Sequence, residues 1–136
     1  MYRKCVTEVS ARHQKQAADA LLELMTKMPY EDITVTQLCQ TAGITRRVFY
    51  HLFSGKTGAL WALLDHAILQ LESYSPRVQD DSLRFFLYWK ENRRLLEALQ
   101  ANRLSGTLLE RMIACVLDES YDLRYWLKKN GWAEEE

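Results

Sequence analysis

Residues 34–56 read TVTQLCQTAGITRRVFYHLFSGK, from Thr34 to Lys56, and the reading of this stretch decides the fold. Thr34 with Gln37 three residues later has the form of a capping box. The threonine hydroxyl accepts from the Gln37 amide while the glutamine side chain reaches back to the amide of Thr34. The short helix that starts there should bury Val35, Leu38 and Cys39. Ala42-Gly43-Ile44 makes a turn, with Gly43 supplying the left-handed residue that stops a helix. Thr45 is placed to cap a second short helix over residues 46–52, whose apolar side is Phe49, with Phe53 just beyond. Ser54-Gly55 breaks the chain again, and Lys56 opens the next helix.

Helical patterning continues on both sides. Ahead of the stretch, Ala17, Ala18, Leu21, Leu22, Leu24 and Met25 form an apolar stripe at helical spacing, predicting a helix over residues 7–27. Pro29 ends it by pushing the preceding residue out of the α region. Behind it, Leu60, Leu63, Leu64, Ala67, Ile68 and Leu71 continue the helix from Lys56, and Ser75-Pro76 is the clearest boundary. Two amphipathic stretches follow, carried by Leu83, Phe86 and Leu87 and then by Leu95, Leu96 and Leu99. Residues 102–106 read as a turn. Leu108, Leu109, Met112, Ile113, Val116 and Leu117 give another stripe, and residues 123–129 a last one. The fold class expected is all-α.

Bulk properties narrow the choices. The chain has 136 residues and 48% hydrophobic content, enough for a packed core. No apolar run approaches the roughly 18 residues of a membrane span, and the polar start Met1-Tyr2-Arg3-Lys4-Cys5 argues against a secretory leader. Cys5, Cys39 and Cys115 are odd in number and far apart, as expected of reduced thiols in a cytoplasm. The net charge is zero, but unevenly spread. Residues 1–64 carry eight Lys/Arg against five acids, and residues 65–136 ten against thirteen. A basic front half suits contact with phosphate, although solvated faces often differ by as much.

Two short helices joined by a glycine turn, the second with a polar start, have helix-turn-helix geometry, in which the second helix enters the major groove of double-stranded DNA. The residues near that start are Thr45, Arg46, Arg47 and Val48. An arginine there can donate a bidentate pair to guanine, and a valine can touch a thymine methyl. Tyr50 and His51 are donors of the sort that meet phosphate oxygens. Lys56 begins a helix whose free amides and dipole already favour an anion. Spacing alone is equally compatible with an ordinary helix pair whose Arg46-Arg47 is a solvated face.

The same 23 residues resemble the DNA-binding signature of TetR-family regulators. They share its threonine-rich helix start, the Ala42-Gly43-Ile44-Thr45 turn, the aromatic-Tyr-x-x-Phe run at residues 49–53, and the lysine opening the fourth helix. That resemblance implies a three-helix DNA-binding unit over residues 1–55 and a helical unit over residues 56–136 for dimerisation and regulation. It implies a homodimeric regulator, usually a repressor, that binds a palindromic operator and answers to a small effector. By position, Thr45, Arg46, Arg47 and Val48 face the bases. Thr34, Thr36, Tyr50, His51 and Lys56 serve the phosphates, while Phe49 and Phe53 are core. Two departures stand out: Arg47 occupies a place that is often small, and Ser54-Gly55 is more flexible than usual. The segments at residues 85–93 and 124–131 also resemble later helices of such proteins. Between Leu117 and Leu123, however, a helix of theirs is skipped, as in a compact variant or part of a longer chain.

Cys39 with His51 as nucleophile and base, and Asp32 or Asp65 as orienting acid, would suggest an enzyme. Cys39 falls on the apolar side of a short helix, though, where an inert thiol is usual. No phosphate loop, metal cluster or nucleophile elbow appears in the sequence, so no cofactor, metal or catalytic role is expected. Trp61, Phe85, Tyr88, Trp89 and Trp126 could line an effector pocket, but aromatics at helical spacing are more often core. The stripe over residues 108–117 and the helix around Trp126 are the expected dimer face. The alternative reading is an adaptor of helix-turn-helix fold acting through protein–protein interaction.

Overall fold

In the computed structural model, residues 7–73 and 81–117 are described, and the protein is all-α. Its helices are α1 (Glu8–Met25), α2 (Val35–Ala42), α3 (Arg46–Leu52), α4 (Lys56–Ser73), α5 (Asp81–Glu91), α6 (Arg93–Ala101) and α7 (Ser105–Leu117), with a single 3-10 turn at Tyr30–Asp32 between α1 and α2. The Ser75-Pro76 boundary, the stretch at 123–129 with Trp126, Cys5, and the skipped helix expected between Leu117 and Leu123 lie outside the described residues.

Local chemistry sets the ends of the first three helices. The Ser10 amide donates to Thr7 Oγ1 at 3.1 Å, capping α1. At α2 the capping box is complete: the Gln37 amide donates to Thr34 Oγ1 at 3.2 Å, and the Thr34 amide to Gln37 Oε1 at 2.9 Å. Gly43 stops α2 at φ +72°, its amide on the Cys39 carbonyl at 2.9 Å. Only a residue without Cβ takes that conformation at little cost. Thr45 caps α3 by accepting from the Val48 amide at 3.1 Å. Caps of this kind each stabilise by about 1 kcal/mol.

Helix α4 is the axis of the molecule. Ala59, Leu60, Ala62, Leu63, Leu64, Ala67 and Ile68 are all buried, a pattern too wide for one apolar stripe, because α1, α5 and α7 each pack against it. One hydrophobic cluster joins Leu21 of α1, Leu38 of α2, Phe49 of α3 and Leu64 of α4 to Tyr88, Trp89, Leu95 and Leu99 of the rear helices. Packing is therefore continuous across residues 55 and 56, where the sequence places a division. Phe49 is wholly buried, and truncating such a side chain costs about 3–5 kcal/mol.

One expectation about the rear helices needs correction. Leu83 and Phe86, read as the inner stripe of α5, are exposed, and the buried positions are Arg84, Tyr88 and Trp89. Apolar residues lie all round this helix, so periodicity could not choose a face, and the large Tyr88 and Trp89 took the interior. The turn read at 102–106 is present, with Arg103 in the left-handed region at φ 56° and α7 starting at Ser105. Among the described residues, no helix is long and apolar enough to cross a membrane.

Candidate nucleic-acid interface

Helix α3 is held from below by Phe49 and Leu52, both buried, and Phe49 stacks obliquely on Phe53 with ring centroids 5.0 Å apart. Its opposite side offers Thr45, Arg46, Arg47, Tyr50 and His51 to solvent. Val48, expected among them, is half-buried and packs against the core. The helix is short, so its buried side anchors the first turn and leaves few positions to face outward.

Arg46 is braced. Its Nη1 donates to Thr36 Oγ1 at 2.8 Å, and its guanidinium carbon lies 5.8 Å from the centroid of the Tyr50 ring. Tyr50 in turn meets Phe49 edge-on at 5.4 Å. Thr36, Arg46 and Tyr50 thus form one row across the starts of α2 and α3. Arginine carries five N–H donors, so the bond to Thr36 fixes the side chain and leaves donors for a ligand. Thr36 accepts that bond and keeps its own hydroxyl proton.

Arg47 and His51 point elsewhere. With Tyr50, and with Ser10 and His13 of α1, they line a surface groove of about 470 Å³ between α1 and α3. Ser10 and His13 carried no DNA-contact reading in the sequence, because nothing local marks a helix that is amphipathic for packing as one that also lines a groove.

Two expected phosphate contacts are otherwise engaged. The Thr34 hydroxyl both accepts from the Gln37 amide and donates to Gln37 Oε1 at 3.2 Å, so the capping box uses its proton. Lys56 Nζ donates to the Tyr30 carbonyl at 2.7 Å and to the Glu31 carbonyl at 3.3 Å, over the Tyr30 ring at 4.3 Å from its centroid. It closes the 3-10 turn onto the start of α4. The ammonium has one proton left beyond these two bonds.

Tyr30 is gripped from its other side as well. Its amide donates to Asn102 Oδ1 at 2.7 Å, while Asn102 Nδ2 donates to the Ala98 carbonyl at 2.7 Å. Burial raises the Tyr30 phenol, with a hydrogen bond to Thr57 pulling the other way. A second tie joins the rear helices: Arg111 of α7 donates to both oxygens of Asp65 in α4, at 2.9 and 2.7 Å, with its guanidinium 4.7 Å from the Trp61 ring centroid. Neither tie has a local signal, since the partners lie 72 and 46 residues apart.

Cys39 is buried, and burial pushes its thiol up, against the lowering effect of Arg46. That is the reverse of what activates a nucleophile. Cys39 and Cys115 are not bridged to each other. Tyr88 and Trp89 are core, edge to face at 5.0 Å, whereas Phe85 is exposed. Leu109, Ile113 and Leu117 are exposed at successive turns of α7. No family model, curated protein or solved structure matches the chain.

Proposed function

We propose that the protein is a sequence-specific DNA-binding regulator of TetR type, in which α2 and α3 form the helix-turn-helix and α3 is the recognition helix. The observation that carries this reading is the braced Arg46. An exposed guanidinium at the start of a short helix, fixed by Thr36 of the preceding helix, is pre-organised for bidentate pairing with a guanine edge. Thr45 stands beside it. Thr36 and Tyr50 have hydroxyls placed for the flanking phosphates. The likeness of residues 34–56 to the family signature supports the same assignment.

The protein acts as a homodimer on a palindromic site, most simply as a repressor. Two recognition helices must stand about 34–36 Å apart to enter successive major grooves. The exposed stripe of Leu109, Ile113 and Leu117 supports self-association through the rear helices. A cavity of about 320 Å³ between α1, α4, α5 and α6, with His66, Gln70, Tyr88 and Asn92 in its lining, offers room for a small effector. An effector that shifts the helix separation lowers affinity without touching Arg46.

Fluorescence anisotropy with genomic duplex fragments at two salt concentrations, paired with sedimentation of the free protein, tests this. The expected outcome is a dimer that binds a subset of fragments tightly and loses affinity steeply with salt. A folded protein that binds no fragment at low salt sinks the proposal and favours the adaptor.

A further inference from the structure

Arg46 and Arg47 are adjacent in the chain, but they leave α3 in different directions. Arg46 bonds to Thr36 of α2, whereas Arg47 lines the groove shared with α1. The sequence gives both to the bases. From this divergence we infer that Arg47, with His13 and Ser10 of α1, grips a phosphate of the DNA backbone, leaving Arg46 alone of the pair to read a base. This rests on the DNA-binding reading above and extends the interface onto α1.

The groove has the chemistry of an anion seat. Its rim supplies the Arg47 guanidinium, the imidazoles of His13 and His51, and the hydroxyls of Ser10 and Tyr50, above a floor of Val48 and Leu52. No carboxylate among the described residues lines it. Among the described residues, the side chains of His13, Arg47 and His51 form no hydrogen bond within the protein, so their donors remain for a ligand. Hydroxyl, imidazole and guanidinium donors around one concavity match the oxygens of a phosphodiester. The position fits too, since Arg47, Tyr50 and His51 stand at successive turns of the helix that carries Thr45 and Arg46. With Lys56 committed to the Tyr30 and Glu31 carbonyls, this groove replaces it as the main backbone grip on that helix.

The test compares the full chain with His13→Ala, Arg47→Ala and Arg47→Lys on a preferred duplex and on an unrelated one, across a salt series. Circular dichroism melts verify that each variant is folded, which the exposure of Arg47 favours. The inference predicts that His13→Ala and Arg47→Ala weaken both duplexes by similar factors, about tenfold for Arg47→Ala. Arg47→Ala should lower the slope of log affinity against log salt by about 0.9, while Arg47→Lys keeps the slope. Arg47→Ala that alters sequence preference instead overturns the inference, as does unchanged affinity on both duplexes. A free-anion arm follows the imidazole proton resonances of His13 and His51 under titration with inorganic phosphate. Saturable phosphate binding, lost in variants whose DNA affinity is intact, assigns the groove to a free anion and overturns the backbone role. A wild type that binds no duplex overturns the parent reading and this inference together, whereas wild-type binding that His13 and Arg47 variants leave untouched overturns this inference alone.

Discussion

The ammonium of Lys56 lies 2.7 Å from the carbonyl oxygen of Tyr30 and 4.3 Å from the centroid of the same residue's ring. Tyr30 sits in the 3-10 turn between α1 and α2, so the first residue of α4 fixes the entry to the front pair of short helices. Lys56→Ala is therefore expected to destabilise the free protein by about 1–2 kcal/mol, through loss of the cation–π contact and of charged donors to two carbonyls. Urea denaturation without DNA measures this. An unchanged midpoint would return Lys56 to the purely phosphate-binding role read from the sequence.

Asn102 holds Tyr30 from the opposite side. Asn102→Ala leaves the part-buried Tyr30 amide and the Ala98 carbonyl without that partner. The expected cost is about 1–3 kcal/mol. Because the clamp ties the α6–α7 turn to the loop before α2, amide exchange at residues 30–33 should quicken in the variant more than exchange in α4. Uniform quickening would mean that Asn102 only supports global stability.

Arg111 and Asp65 form the bidentate tie between α7 and α4. Their side chains are 22% and 11% exposed, so Arg111→Ala takes two charged donors from a largely buried carboxylate and should cost about 2–4 kcal/mol. Removing both partners should cost clearly less than the sum of the single losses, as a double-mutant cycle reports. Additive losses would show that the two groups do not interact in solution.

Tyr88 gives a pH signature. Burial pushes its phenol up to about 12, from an ordinary value near 10. A raised folded value means that this group's contribution to stability is fully present below pH 10 and is lost as the pH climbs through 12. The loss is on the order of 2 kcal/mol. Tyr88→Phe should flatten the decline in stability between pH 10 and 12, measured by urea midpoints, and an identical decline in both proteins would contradict the assignment.

Elements set by local chemistry were legible in the sequence. Thr34, Gly43 and Thr45 act through residues three or four positions away, and their caps and turn stand where the pattern put them. Phe49 and Phe53 are core for the same reason: the helix between two stops has only one inner side. The face of α5 was not legible, because apolar residues surround it and burial is decided by what α4 and α6 leave open. The engagement of Lys56 was hidden for a related reason. A lysine opening a helix is chemically suited to an anion or to backbone carbonyls, and only the return of Tyr30 to its side selects the carbonyls. Arg46 and Arg47 were both read as base contacts, Arg47 in a place that is often small, and only the fold shows that α2 and α1 give them different neighbours.

The reading of DNA by Arg46 is most directly tested by selecting bound duplexes from a randomised pool with the wild type and with Arg46→Ala. The account predicts that the wild type enriches a two-fold symmetric motif with half-sites about one helical turn apart. Arg46→Ala should lose preference at one guanine in each half-site, at about 1–3 kcal/mol, and keep the rest of the motif. A folded Arg46→Ala protein that enriches the same motif with the same affinity, or a folded wild type that enriches none, would contradict it.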